Sequence, residues 1–72
     1  MTANEVIRKL MIVTGTTFSE LAEGSLQGSA SGITQKVNYS EDMKVSTFVD
    51  LLETMGYRLS VRDDEDKEVM SL

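Results

Sequence analysis

One helix-starting pattern occurs twice near the amino end of the sequence, as Thr2-Ala3-Asn4-Glu5 and as Thr17-Phe18-Ser19-Glu20. In each, a threonine hydroxyl and a glutamate carboxylate three residues on can satisfy each other's free backbone N–H groups, which otherwise have no partner at a helix start. Two short helices therefore begin within residues 2 to 20. The first carries Val6, Ile7, Leu10, Met11 and Val13 along one side at spacings of three and four, with Arg8 and Lys9 outward, and Gly15 offers its stop. The second has Phe18, Leu21 and Ala22 as its inner face.

The run from Leu21 to Asn38 reads both as a flexible Gly/Ser linker and as two pieces of helix. Gly24 and Gly28 interrupt the pattern, and from Ser29 the apolar positions return as Ala30, Ile33 and Val37, with Ser31, Thr34, Gln35 and Lys36 on the other side. That predicts a short third helix with a narrow apolar face. Residues 39 to 44 form a connection. Val45, Phe48, Val49, Leu51, Leu52 and Met55 then give a wide apolar face, the central helix of the core, closed by Gly56.

Beyond it, Tyr57-Arg58-Leu59-Ser60-Val61-Arg62 alternates apolar and polar residues and predicts one β-strand. A lone strand leaves its own N–H and C=O groups unpaired. The economical partner is the same strand of a second copy, antiparallel around a two-fold axis, with Tyr57, Leu59 and Val61 at the seam. A monomer with residues 57 to 62 extended across the helices is the alternative.

A chain of 72 residues is a marginal core unless something reinforces it, and without cysteine or histidine neither a disulfide nor a zinc staple is available. Well-packed helices or association with a second copy remain. No apolar run reaches bilayer length and no secretory leader is apparent, so the expected location is the cytoplasm. The net charge is −5, of which residues 62 to 72 carry −3. Residues 63 to 72 therefore read as an acidic, disordered and solvating tail.

The same composition disfavours catalysis, because the usual nucleophiles and general bases reduce to carboxylates, serines and lysines. Glu41-Asp42 and Asp63-Asp64-Glu65-Asp66 lack the alternating layout of a metal loop and read as solvated charge. No cofactor or metal is expected. Phe18 and Phe48 read as core, and Tyr39 divides evenly between a structural and a binding role.

Phe18 to Glu23, Ser29 to Asn38 and Met43 to Val61, in this order and spacing, resemble the Cro/C1-type helix-turn-helix family, also called the XRE family, of phage and bacterial transcriptional regulators. The resemblance implies a mainly α, compact four-helix, lambda-repressor-like domain over residues 1 to 62, ending in one strand that pairs across a dimer. It implies a repressor bound as a homodimer to double-stranded DNA on two half-sites, the third helix in the major groove. Ser29, Ser31, Gly32, Gln35 and Lys36 would then face DNA, with Thr17 and Ser19 near the phosphates. Gln35 suits adenine, and Lys36 suits guanine or a phosphate.

The turn departs from the family pattern: Leu26 stands where a glycine is usual, and Ala22 to Ile33 is one residue longer. Gly32 inside a helix costs on the order of 1 kcal/mol relative to alanine. Arginine is absent between Leu10 and Gly56, so the positive charge of such a surface rests on Lys36, with Lys44, Arg8 and Lys9. These features, with the acidic balance, keep a second class open: a degenerate helix-turn-helix that binds a basic protein partner, as a phage inhibitor or antitoxin would.

Overall fold

The computed structural model describes residues 1–40 and 42–72. Four helices come first: α1 (Ala3–Thr14), α2 (Phe18–Gly24), α3 (Ala30–Asn38) and α4 (Val45–Thr54). Two strands follow, β1 (Ser60–Arg62) and β2 (Glu68–Ser71). The mainly helical, four-helix reading of the sequence is what the chain adopts. Glu41 of the Glu41-Asp42 pair lies outside the described residues.

Both helices start where the sequence put them, but among the described residues only the second pattern closes in both directions. The Thr2 hydroxyl accepts from the Glu5 N–H at 3.2 Å, and at α2 Thr17 and Glu20 cap each other's backbone reciprocally. Gly15 and Gly56 are left-handed at the ends of α1 and α4. Capping of this kind contributes about 1 kcal/mol per helix, enough to define where it starts but not to hold the domain together.

The core does that. Ile7 of α1, Leu21 of α2, Ile33 and Val37 of α3, and Leu51 and Leu52 of α4 are buried together. Val6, Leu10, Met11, Phe18, Ala22, Phe48, Met55 and Leu59 pack around them. Each fully buried aliphatic side chain contributes roughly 1.5–3 kcal/mol relative to exposure, which outweighs the caps. α3 lies against α1 and α2, so one side is committed to the core and the opposite side is left to solvent. Two expected core residues point outward: Val13, in the last turn of α1, is 74% exposed, and Val45, the first residue of α4, is 61% exposed. Both sit at helix ends, where a row of apolar positions outruns the neighbours that cover it.

The carboxyl end departs most from expectation. Residues 63 to 72 are not a disordered tail, and β1 does not wait for a second copy: it pairs antiparallel with β2 of its own chain. Ser60 lies opposite Ser71, Val61 opposite Met70 and Arg62 opposite Glu68, with a bulge at Val69. The Leu72 N–H extends the ladder to the Leu59 carbonyl at 2.8 Å. Nor does this segment lie across the helices, since among the described residues neither strand packs against one. The acids expected as solvated charge of a disordered tail form the turn instead. Asp63 Oδ1 accepts from the N–H groups of Glu65 and Lys67 at 2.9 and 3.0 Å, and Asp66 takes the left-handed conformation that short polar side chains tolerate.

Candidate nucleic-acid interface

The Gly/Ser-rich run resolves into the turn between α2 and α3, five residues from Ser25 to Ser29. It is fixed from outside itself. Asp50 Oδ2, on α4, accepts from the Leu26 N–H at 2.8 Å and from Gln27 Nε2 at 2.7 Å. Gln27 Oε1 in turn accepts from Lys36 Nζ at 3.3 Å. A carboxylate on one helix thus orders a turn with little stiffness of its own, and through Gln27 it reaches a cation on the exposed side of α3.

Glycine is required at two points, one within this turn and one in the last position of α2. Gly28 has φ 95°, a conformation that a side chain resists and that delivers the chain to Ser29, the N-cap of α3. At Gly24 the constraint is space, since a Cβ there would lie 2.7 Å from Thr54 Cγ2. The Thr54 hydroxyl donates to the Gly24 carbonyl at 3.2 Å, so the close approach of α2 and α4 is itself hydrogen-bonded.

The other end of α3 is held from α1. Asn4 is buried, and its Nδ2 donates to the carbonyls of Lys36, Val37 and Ser40 at 2.9, 3.2 and 2.9 Å. Arg8 adds a bond to the Val37 carbonyl at 3.1 Å, placing positive charge at a helix end that favours it. These four bonds satisfy carbonyls that no residue of the helix can reach. Asn4 Oδ1 is buried without a partner among the described residues, so the amide is oriented entirely by its donors.

Between these anchors α3 is one uninterrupted helix through Gly32, with Ile33 and Val37 buried. Ser31 and Gln35 form one outward row and Gly32 and Lys36 the next, at the spacing of four that stacks side chains along a face. Ser29, Ser31, Gln35 and Lys36 are exposed. The Ser29 hydroxyl caps the Gly32 N–H at 3.2 Å and lies at the same distance from the Ser31 hydroxyl. Among the described residues the Gln35 amide makes no hydrogen bond, so all of its donors and acceptors face outward. Tyr39 closes the helix, 80% exposed, in a shallow depression with Gln35, Lys36 and Ser40.

Thr17 and Ser19 divide. Ser19 is exposed at the start of α2. Thr17 is exposed too, but its N–H and hydroxyl both donate to Glu20 Oε1, at 3.0 and 3.1 Å. Its donors are spent, and a carboxylate stands beside them. A longer groove runs from α3 to the start of α4, lined by Gln27, Lys36, Ser40, Asp42, Lys44 and Ser46.

Tyr57, Leu59 and Val61, expected at a dimer seam, fall at the hairpin: Leu59 packs on the core, while Tyr57 and Val61 are partly exposed. Sequence reasoning missed Asn4, Gln27 and Asp50, because their partners lie far along the chain and no periodic pattern singles them out. No helix among the described residues is long and apolar enough to cross a membrane.

Compared with known proteins, the chain matches no family model, no curated protein and no solved structure.

Proposed function

We propose that this chain is a sequence-specific DNA-binding transcriptional regulator, a repressor of phage, prophage or mobile-element type. It acts in the cytoplasm and binds a two-half-site operator as a pair of subunits. One observation carries the reading: α3 is anchored at both ends and along its buried side, while Ser31, Gln35, Lys36 and the open backbone at Gly32 line its free side. A helix presented in this way suits the major groove, where an outward amide can bond adenine in a bidentate pair and an amine can reach guanine or a phosphate.

The experiment is selection of binding sites from random duplex DNA by the full chain. The expected product is a motif with two half-sites about one helical turn, ~34 Å, apart. Changing Gln35→Ala relaxes one base position. Lys36→Ala weakens binding to all sequences and makes the salt dependence shallower by about one unit of slope if the amine neutralises a phosphate. A chain that stays folded yet enriches no sequence refutes the proposal.

The position of Glu20 favours a second reading, a helix-turn-helix that binds a basic protein. Its carboxylate occupies the donors of Thr17, where the motif would otherwise meet phosphate. Under that reading Glu20→Gln weakens binding to the protein partner, whereas under the operator reading it strengthens binding to DNA.

A further inference from the structure

We propose that the groove between α3 and the start of α4 is a binding site for a small phosphate monoester that carries free hydroxyl groups, as a sugar phosphate or a nucleoside monophosphate does. The site goes beyond the operator reading and stands without it.

The first turn of α4 supplies donors. The Phe48 N–H bonds the Lys44 carbonyl, so the N–H groups of Val45, Ser46 and Thr47 precede the helical ladder, and Lys44 at the N-cap offers them no side-chain acceptor. Ser46 and Thr47 line the groove. A helix start with open N–H groups carries partial positive charge and favours an anion.

A buried side chain points to the same place. Thr47 is 7% exposed and forms part of the groove wall, yet its hydroxyl makes no hydrogen bond among the described residues. A hydroxyl so nearly enclosed ordinarily has a partner, because leaving it dry and unpaired is costly. The groove is where a partner can reach it. Lys36, from α3, and Lys44 also line the groove, and neither is in an ion pair among the described residues, in a chain whose net charge is −5.

This donor set selects the ligand. A terminal phosphate has three free oxygens and a charge of roughly −2, which suits backbone N–H groups, a hydroxyl and two amines together. A phosphodiester in a nucleic-acid backbone has two free oxygens and one charge, and it brings further phosphates on either side. Asp42 stands at the groove and repels such a string. Its Oδ1 accepts from the Met43 N–H at 2.9 Å, which leaves Oδ2 to accept from a hydroxyl of the ligand. The groove's free volume of 470 Å³ falls within the roughly 300–1,000 Å³ of small-ligand sites.

The test is a titration of the isotope-labelled full chain, followed by amide NMR at constant ionic strength. The probes are ribose 5-phosphate, which pentose phosphates and nucleotides share, methyl phosphate, dimethyl phosphate and a short duplex of random sequence. Ribose 5-phosphate is expected to move the Ser46 and Thr47 resonances to saturation. It should bind at least fivefold tighter than methyl phosphate and at least tenfold tighter than dimethyl phosphate. Thr47→Val removes the hydroxyl and nearly keeps the shape, and Lys44→Ala removes an exposed amine; each is expected to weaken ribose 5-phosphate at least fivefold. Should Thr47→Val unfold, Lys44→Ala decides. The inference is overturned if those resonances do not respond, if methyl or dimethyl phosphate binds as tightly, or if the folded variants bind as the wild type does. A response to the duplex alone also overturns it and assigns the groove to a nucleic-acid backbone. A chain that selects no DNA sequence yet binds ribose 5-phosphate keeps this site and loses only the operator reading.

Discussion

Asp50 on α4 and Gln27 in the α2–α3 turn are joined by a 2.7 Å hydrogen bond from Gln27 Nε2 to Asp50 Oδ2. The same oxygen receives the Leu26 N–H. Asp50→Ala removes both, and hydrogen bonds to a charged group of this partly exposed kind contribute about 1–2 kcal/mol in net terms. The expected outcome is a melting temperature lower by roughly 4–8 °C for each kcal/mol of destabilisation, for a domain of this size. Asp50→Asn keeps an acceptor oxygen and should recover most of the stability. An alanine variant that melts with the wild type would show the turn to be ordered by other means.

Gly24 and Thr54 predict a compensating pair. Gly24→Ala drives a methyl group to within 2.7 Å of Thr54 Cγ2, and forced overpacking of this kind costs about 1–3 kcal/mol. Thr54→Ser deletes that carbon but keeps the hydroxyl that bonds the Gly24 carbonyl. In urea titrations the double variant should be more stable than Gly24→Ala alone. Additive losses would mean that the strain arises elsewhere.

At Gly32 stability and binding are expected to move in opposite directions. A Cβ there meets only the Ser29 hydroxyl, at 3.4 Å, so alanine fits and should stabilise α3 by about 0.5–1 kcal/mol. The added methyl group stands on the flank proposed to meet DNA. Thermal melting of Gly32→Ala should therefore rise while affinity for the selected operator falls several-fold. Equal or tighter binding would remove Gly32 from the interface.

The helices were legible because their signals are local. Thr2 and Thr17 lie three residues from the glutamates that answer them, and Leu21, Ile33, Val37, Leu51 and Leu52 recur at helical spacing. The exposed side of α3 followed from the same periodicity, since Ser31, Gln35 and Lys36 fall away from the apolar row of Ile33 and Val37. β2 escaped because the bulge at Val69 breaks the alternation that marks a strand, and because Asp63 to Asp66 carry as much charge as they do turn-forming capacity.

Asn4 shows the same limit from inside the fold. Its position within a capping pattern suggested only a helix start, yet its amide binds three carbonyls more than thirty residues away. Helix starts, apolar faces and the outward row of Ser31 and Gln35 depend on neighbours within one or two turns, and the sequence alone determined them. The clamp of Asp50 on the turn, the hold of Asn4 on α3 and the pairing of β1 with β2 join residues that no local pattern links. Only the tertiary structure decided those, because a hydrogen bond forms where folding brings donor and acceptor together, and linear spacing carries no record of that meeting.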